Sequence, residues 1–147
     1  MKKLACILVG CSLLSGAGSA SATTQAEAEA IYAEWLQHYA DREPERAIAL
    51  TSGDFQMVNN ETVMNRAQAL SFVQALAAFI LSRECTNHVV AAQSLPQKAE
   101  LLLSRVDCNF QTVLGPLEAH FLETIIVDKH GVIVYDHFTD VADSSLP

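Results

Sequence analysis

Between Gln25 and Ala40 the apolar residues Ile31, Tyr32, Trp35, Leu36 and Tyr39 recur at spacings of three and four, with Glu27, Glu29, Glu34 and Gln37 between them. That period places the apolar side chains on one stripe and predicts an amphipathic helix. Asp41-Arg42-Glu43-Pro44 ends it, and Pro44 suits the first turn of a second short helix running to about Leu50. Thr51-Ser52-Gly53-Asp54 reads as a turn, Phe55 to Val58 as a short strand, and Asn59-Asn60-Glu61 as a loop. Asn65 suits the N-cap of a third helix from Arg66 to about Leu81. Its Leu70, Phe72, Val73, Leu76, Phe79 and Ile80 make an apolar face wide enough to press into a sheet.

From Glu84 to Leu114 the chain reads as two long strands folded back on each other around Pro96-Gln97. With Leu95 opposite Lys98, opposed residue numbers sum to 193, and Cys85 falls opposite Cys108. Directly opposed antiparallel residues have Cα atoms about 4.5 to 5.5 Å apart, within disulfide range, so a Cys85–Cys108 bond is predicted. Pro96 cannot take the positive φ of the usual two-residue hairpin turns, so a longer loop or a bulge is expected. A one-residue slip would separate the cysteines. Gly115-Pro116 breaks the pattern, Leu117 to Val127 forms a further strand, Asp128 to Gly131 a turn with Gly131 free to take positive φ, and Val132 to Asp140 the last strand. Helices first and hairpin-joined strands after them define an α+β class, an antiparallel sheet packed against N-terminal helices.

The first 22 residues have the form of a secretory signal peptide: Met1-Lys2-Lys3, an apolar run from Leu4 to Leu14, then small residues to Ala22. The apolar run is about half of the 18 residues a membrane span needs. Cleavage after Ala20-Ser21-Ala22 leaves a domain at 23–147; Leu8-Val9-Gly10-Cys11 resembles a lipobox and offers the alternative of a lipoprotein anchored through Cys11. Cleavage after Ala22 removes Cys6 and Cys11 and leaves two of the four cysteines, the even number of an oxidising compartment, periplasmic or secreted. It also removes two of nine cations, leaving seven against seventeen acids, a net charge of −10. That balance disfavours nucleic acid and membrane surfaces as partners.

The leading helix, Gly53-Asp54-Phe55, the helix start Asn65-Arg66-Ala67 and the closing Asp128-Lys-His-Gly-Val-Ile-Val-Tyr-Asp-His-Phe-Thr-Asp140 together resemble the nuclear transport factor 2-like superfamily. This superfamily includes SnoaL-like polyketide cyclases, ketosteroid isomerases and limonene epoxide hydrolases. The resemblance covers about Gln25 to Asp140. It implies a curved sheet wrapped into a cone, closed at its wide end by the helices, around a pocket for a small, largely apolar molecule. It says little of activity.

Two faces are open for the strand around Arg105: Leu102, Ser104, Val106, Cys108 and Phe110, or Leu103, Arg105, Asp107 and Asn109, with His88 opposite Arg105 and Thr86 opposite Asp107. The polar face reads either as a solvated ion pair or as part of a site. Arg105-Val106-Asp107 is similar to the Arg-x-Asp of the epoxide hydrolases, which implies a bridging Arg105 and a carboxylate at Asp107. The second aspartate of that family is expected where this chain has His137, with Asp136 adjacent on the opposite face, and Asn59 is the nearest match to the family's water-positioning asparagine. In the last hairpin a sum of 259 puts His120, Leu122, Thr124, Ile126, Ile133, Tyr135 and His137 on one face, and Phe121, Glu123, Ile125, Val127, Val132, Val134, Asp136 and Phe138 on the other. The family's Gly-x-Ile pattern implies that Ile133 points inward, and Tyr135 and His137 with it.

The catalytic candidates are thus His137 or Asp107 as general base, with Tyr135 and Arg105 stabilising negative charge; Tyr39, Trp35, His88, His120 and Asn59 are candidate ligand contacts. His120 and His137 make only two ligands, so no metal is expected, and no cofactor. Because both faces of the last hairpin are apolar, one suits the cavity and the other a homodimer interface. Two functions remain in view: an exported protein binding a small apolar molecule, with isomerase, cyclase or hydrolase chemistry, or a non-catalytic periplasmic accessory domain that binds protein.

Overall fold

The computed structural model describes residues 23–141. The leader and lipobox readings, and the last six residues of the domain, lie outside them. Helix α1 spans Gln25–Ala40, with Thr24 as N-cap reciprocated by Glu27 at N3. Helix α2, Pro44–Ala49, starts on its proline. Strands β1 (Thr51–Asn59) and β2 (Thr62–Asn65) form a hairpin, helix α3 is Arg66–Phe79, and β3 (Ile80–Leu95), β4 (Ala99–Thr112), β5 (Gly115–Val127) and β6 (Ile133–Asp140) follow. Asn65 caps α3 as expected, accepting from the backbone of Ala67 and Gln68 while Gln68 reaches back. Replacing Asn65 with Ala should cost about 1 kcal/mol, measurable by urea denaturation.

The six strands form one sheet in the order β2-β1-β6-β5-β4-β3. It is mixed rather than wholly antiparallel, because β1 runs parallel to β6. This corrects two local readings. Thr51 to Asp54 is strand, not turn: β1 lies alongside the last strand, and the Ile133 amide donates to Leu50 O at its start. The loop at Asn59-Asn60-Glu61 shrinks to a tight turn with Asn60 at φ 51°, so Thr62–Asn65 can pair back on β1. Turn composition was legible there, but a four-residue edge strand was not.

The β3–β4 hairpin shows how the cysteines meet. Leu95 pairs with Ala99 across the three-residue loop Pro96–Lys98, in which Gln97 and Lys98 take positive φ, so the ladder begins one residue out of the expected register. A bulge between Val89 and Ala91 then removes the offset, and from Val89 back to Ser82 opposed numbers sum to 193. Cys85 and Cys108 are paired and form a disulfide, with Cα atoms 4.2 Å apart.

A second bulge matters more. Along β5 and β6, Ile126 pairs with Tyr135 but Val127 pairs with Ile133, so Val134 is the extra residue. Ile133 is fully buried, as expected, but beyond the bulge the inward set is Asp136 and Phe138 rather than Tyr135 and His137. The assumption of unbroken alternation from Ile133 fails at Val134.

The concave face of the sheet carries Leu102, Ser104, Val106, Cys108, Ile125, Val127 and Ile133, all buried. Tyr32 and Trp35 of α1, and Ala69 and Val73 of α3, close over it. Trp35 packs on Tyr39 with centroids 5.0 Å apart and on Phe55 at 5.9 Å.

Candidate active site

Between the helices and the concave face lies a cavity of about 860 Å³, a volume that includes the open solvent at its mouth. Its walls are mainly apolar: Trp35, Leu36, Val73, Leu76, Ile80, Val106, Phe110, Phe121 and Phe138 all contribute. The Phe121 ring stands edge-on to Phe138 at 6.2 Å, and Phe138 stacks on Phe72 at 6.0 Å. The open choice of face on β4 is settled by this lining: Val106, Cys108 and Phe110 look inward.

Set into the apolar wall are two acids from neighbouring strands. Glu123 of β5 and Asp136 of β6 both line the cavity, with only 7% and 1% of their surface exposed. Burial is the main reason that each carboxyl holds its proton above the ordinary carboxylate range; for Asp136 the charge of Glu123 adds to it and the shift is large. Hydrogen bonding from Tyr32, Asp136 and Trp35, and the Arg83 cation, oppose the shift at Glu123. The Tyr32 hydroxyl donates to Glu123 Oε2. Two carboxyl groups in hydrogen-bonding contact require one of them to keep a proton. Both carboxyls favour the protonated form, Asp136 the more strongly, and Glu123 has the Tyr32 hydroxyl as a donor. Asp136 Oδ1 is buried with no partner.

Of the residues nominated from sequence, Trp35 and Tyr39 line this cavity. The others do not, and their assignment to it is corrected. Arg105, Asp107, His120, Tyr135 and His137 lie on the opposite, convex face, because β4 alternates regularly and β6 shifts phase at Val134. His88 faces Arg105 across the β3–β4 ladder, and Asn59 sits at the end of β1 opposite Thr62. The convex face does gather three of them: Asp107 accepts from Arg105 Nε at 3.1 Å and lies 2.6 Å from His120 Nδ1. The His120 hydrogen bond, then Arg105, hold the Asp107 carboxyl below its usual range, which suits a fixed ion-pair partner rather than a proton acceptor. His137 meets Thr139 Oγ1 at 3.2 Å.

Glu123 and Asp136 were missed, although a signal was present. They are the two charged residues on an otherwise apolar strand face, and a buried acid is placed there only at a cost. Among the described residues, no group of three or more His, Cys, Asp or Glu is arranged to hold a metal ion.

An α+β cone enclosing an apolar cavity with buried acids defines the class. No protein-family model matches the sequence, and no curated protein sequence matches it. Solved structures do match in shape. A ketosteroid isomerase-like protein from Erwinia carotovora atroseptica superposes with a TM-score of 0.67 at 9% identity, over 80% of this chain and 96% of that one. The BvnE pinacolase from Penicillium brevicompactum gives 0.65 at 11% identity, over 80% and 88%. An NTF2-like protein from Exiguobacterium gives 0.65 at 11%, over 77% and 99%. The chain has the nuclear transport factor 2-like fold.

Proposed function

We propose that this is an exported protein that binds a small, largely apolar molecule in its cone and acts on it by cofactor-free acid–base chemistry, with Glu123 and Asp136 as the acting pair. The observation that carries this reading is the pair itself, two buried carboxyls of unequal proton affinity in the wall of an apolar cavity. Such a pair can take a proton from one substrate atom and give one to another without a second reagent. Glu123 is the base. Neutral Asp136 donates to a substrate oxygen on which negative charge develops, in a site that excludes most water. The reaction class is isomerisation, cyclisation or hydrolysis, and the pinacolase among the structural neighbours is compatible with it.

Export is supported by the leader-like first 22 residues and by the disulfide. No helix among the described residues is long and apolar enough to cross a membrane. A homodimer through the convex face is supported by its half-buried Leu101, Leu103, Leu122, Ile126 and Tyr135.

Native mass spectrometry of protein purified from its source tests both parts. A retained small molecule is expected, with at least tenfold lower occupancy in Leu76→Trp, which puts a larger side chain into the cavity wall, and the intact mass should be that of a dimer. Wild-type protein that carries nothing and takes up no apolar probe would reject the cavity reading.

A further inference from the structure

The cavity holds a second polar feature beside the acid pair. Arg83 stands at the start of β3, where the strand leaves α3, and lines the cavity. One terminal nitrogen donates to Leu36 O at the C-terminal half of α1, and its guanidinium carbon lies 5.5 Å from the centre of the Tyr39 ring. These contacts fix the plane of the group. Its Nε–H is buried and has no acceptor. Among the described residues no carboxylate lies within 4.0 Å of Arg83, whereas the other charged groups at the mouth are engaged. Arg42 Nε donates to Ala77 O at 2.8 Å, and Glu43 is held by His38 at 3.0 Å and by Arg46 at 3.1 Å.

Arg83 is half-buried, and Glu123 and Asp41 favour its charge from beyond contact distance; a guanidinium with no carboxylate in contact and one buried N–H without an acceptor is still incompletely satisfied. Asp136 Oδ1, in the same cavity and 1% exposed as a residue, is likewise without a partner. These two unpartnered groups are of opposite chemical kind, a cationic donor and a carboxyl oxygen. A ligand that satisfied both would have an anionic end and an uncharged polar end, with an apolar body between. Glu123 would repel an anion at the inner end, so the anion belongs at Arg83.

We propose that Arg83 is the anion-binding residue of the cavity and that the ligand is a small apolar monocarboxylate, held by its carboxylate on the Arg83 guanidinium with its apolar body against Trp35, Phe121 and Phe138. This rests on the cavity reading above and adds the charge of the ligand to it. Arg rather than Lys suits the task, because its planar fork matches a carboxylate and stacks on Tyr39.

Calorimetric titration with 2-naphthoate and with its uncharged isostere 2-naphthamide tests the charge separately from the cavity. The wild type should bind the carboxylate at least tenfold more tightly than the amide, and the preference should shrink in Arg83→Met to within twofold through loss of carboxylate affinity alone. Arg83→Lys should keep part of it. Equal affinities in the wild type, or a preference that survives Arg83→Met, overturn the proposal while leaving an apolar-ligand cavity intact. Absence of binding by both probes removes the cavity reading and this proposal with it. Should Arg83→Met fail to fold, the wild-type ratio decides alone.

Discussion

Asp136→Asn is expected to do two opposite things: lower turnover of the native substrate by about 10²–10⁴-fold and make the protein more stable at neutral pH. The substitution keeps the shape of the side chain and a donor toward Glu123, but removes the proton that can be given to substrate. The stability effect follows from linkage. An unfolded carboxyl titrates near pH 4, whereas burial and the charge of Glu123 hold the folded Asp136 carboxyl well above that. Between those two values the folded state binds more protons than the unfolded one. Stability is therefore greatest below about pH 4 as far as this group is concerned, and falls as pH rises toward the folded value. An amide does not titrate, so the variant should lack that slope. In urea titrations the gain should be near zero at pH 4 and grow with pH, by about 1.4 kcal/mol for each unit by which the folded carboxyl is raised. A variant as stable as the wild type at both pH values would mean that Asp136 is ionised in the fold, and unchanged turnover would remove it from the mechanism.

The architecture is more legible in the sequence than the acid pair is. The helix stripe of α1, the Asn65 cap, the proline start of α2 and the cysteine register all depend on local period or on pairing arithmetic. Such signals persist along a chain. The site depends on which face of β6 looks inward, and a single extra residue at Val134 reverses that for every position after it. An inward Tyr135 and His137 follow from Ile133 only through an unbroken alternation, which the bulge breaks. Nothing in Ile133-Val134-Tyr135 marks a bulge, since all three are strand formers. The opposite inference was open: a face bearing Phe121, Ile125, Val127 and Phe138 along with Glu123 and Asp136 is too apolar for two casual acids. Arg83 is illegible in the sequence for another reason. Its role depends on the packing of α1 over the start of β3, a contact with no local signature.

The remaining large effect is expected from removing the disulfide. β3 is an edge strand of 16 residues, and beyond Arg83 nearly all of it is exposed. Its outer half buries little apolar surface, so it is held by its ladder to β4 and by Cys85–Cys108. The bond closes a loop of sequence separation 23, which in the chain-entropy account contributes about 3 kcal/mol by restricting the unfolded chain. Cys85→Ser with Cys108→Ser should lose roughly that much in urea denaturation, and thiol reduction of the wild type should reproduce it. Because Cys108 also lines the cavity between Val106 and Phe110, the loss should be felt locally as well. Hydrogen exchange in the double variant should quicken most at residues 84–95 and their partners on β4. The amides of α1 and of the β1–β6 pair, elements that carry the buried Tyr32, Trp35 and Phe55, should change only by the global loss. Equal acceleration throughout would show that β3 unfolds only with the whole molecule. A loss well under 1 kcal/mol would show that the offsetting bulge at Val90, not the sulfur bridge, sets the pairing of the long hairpin.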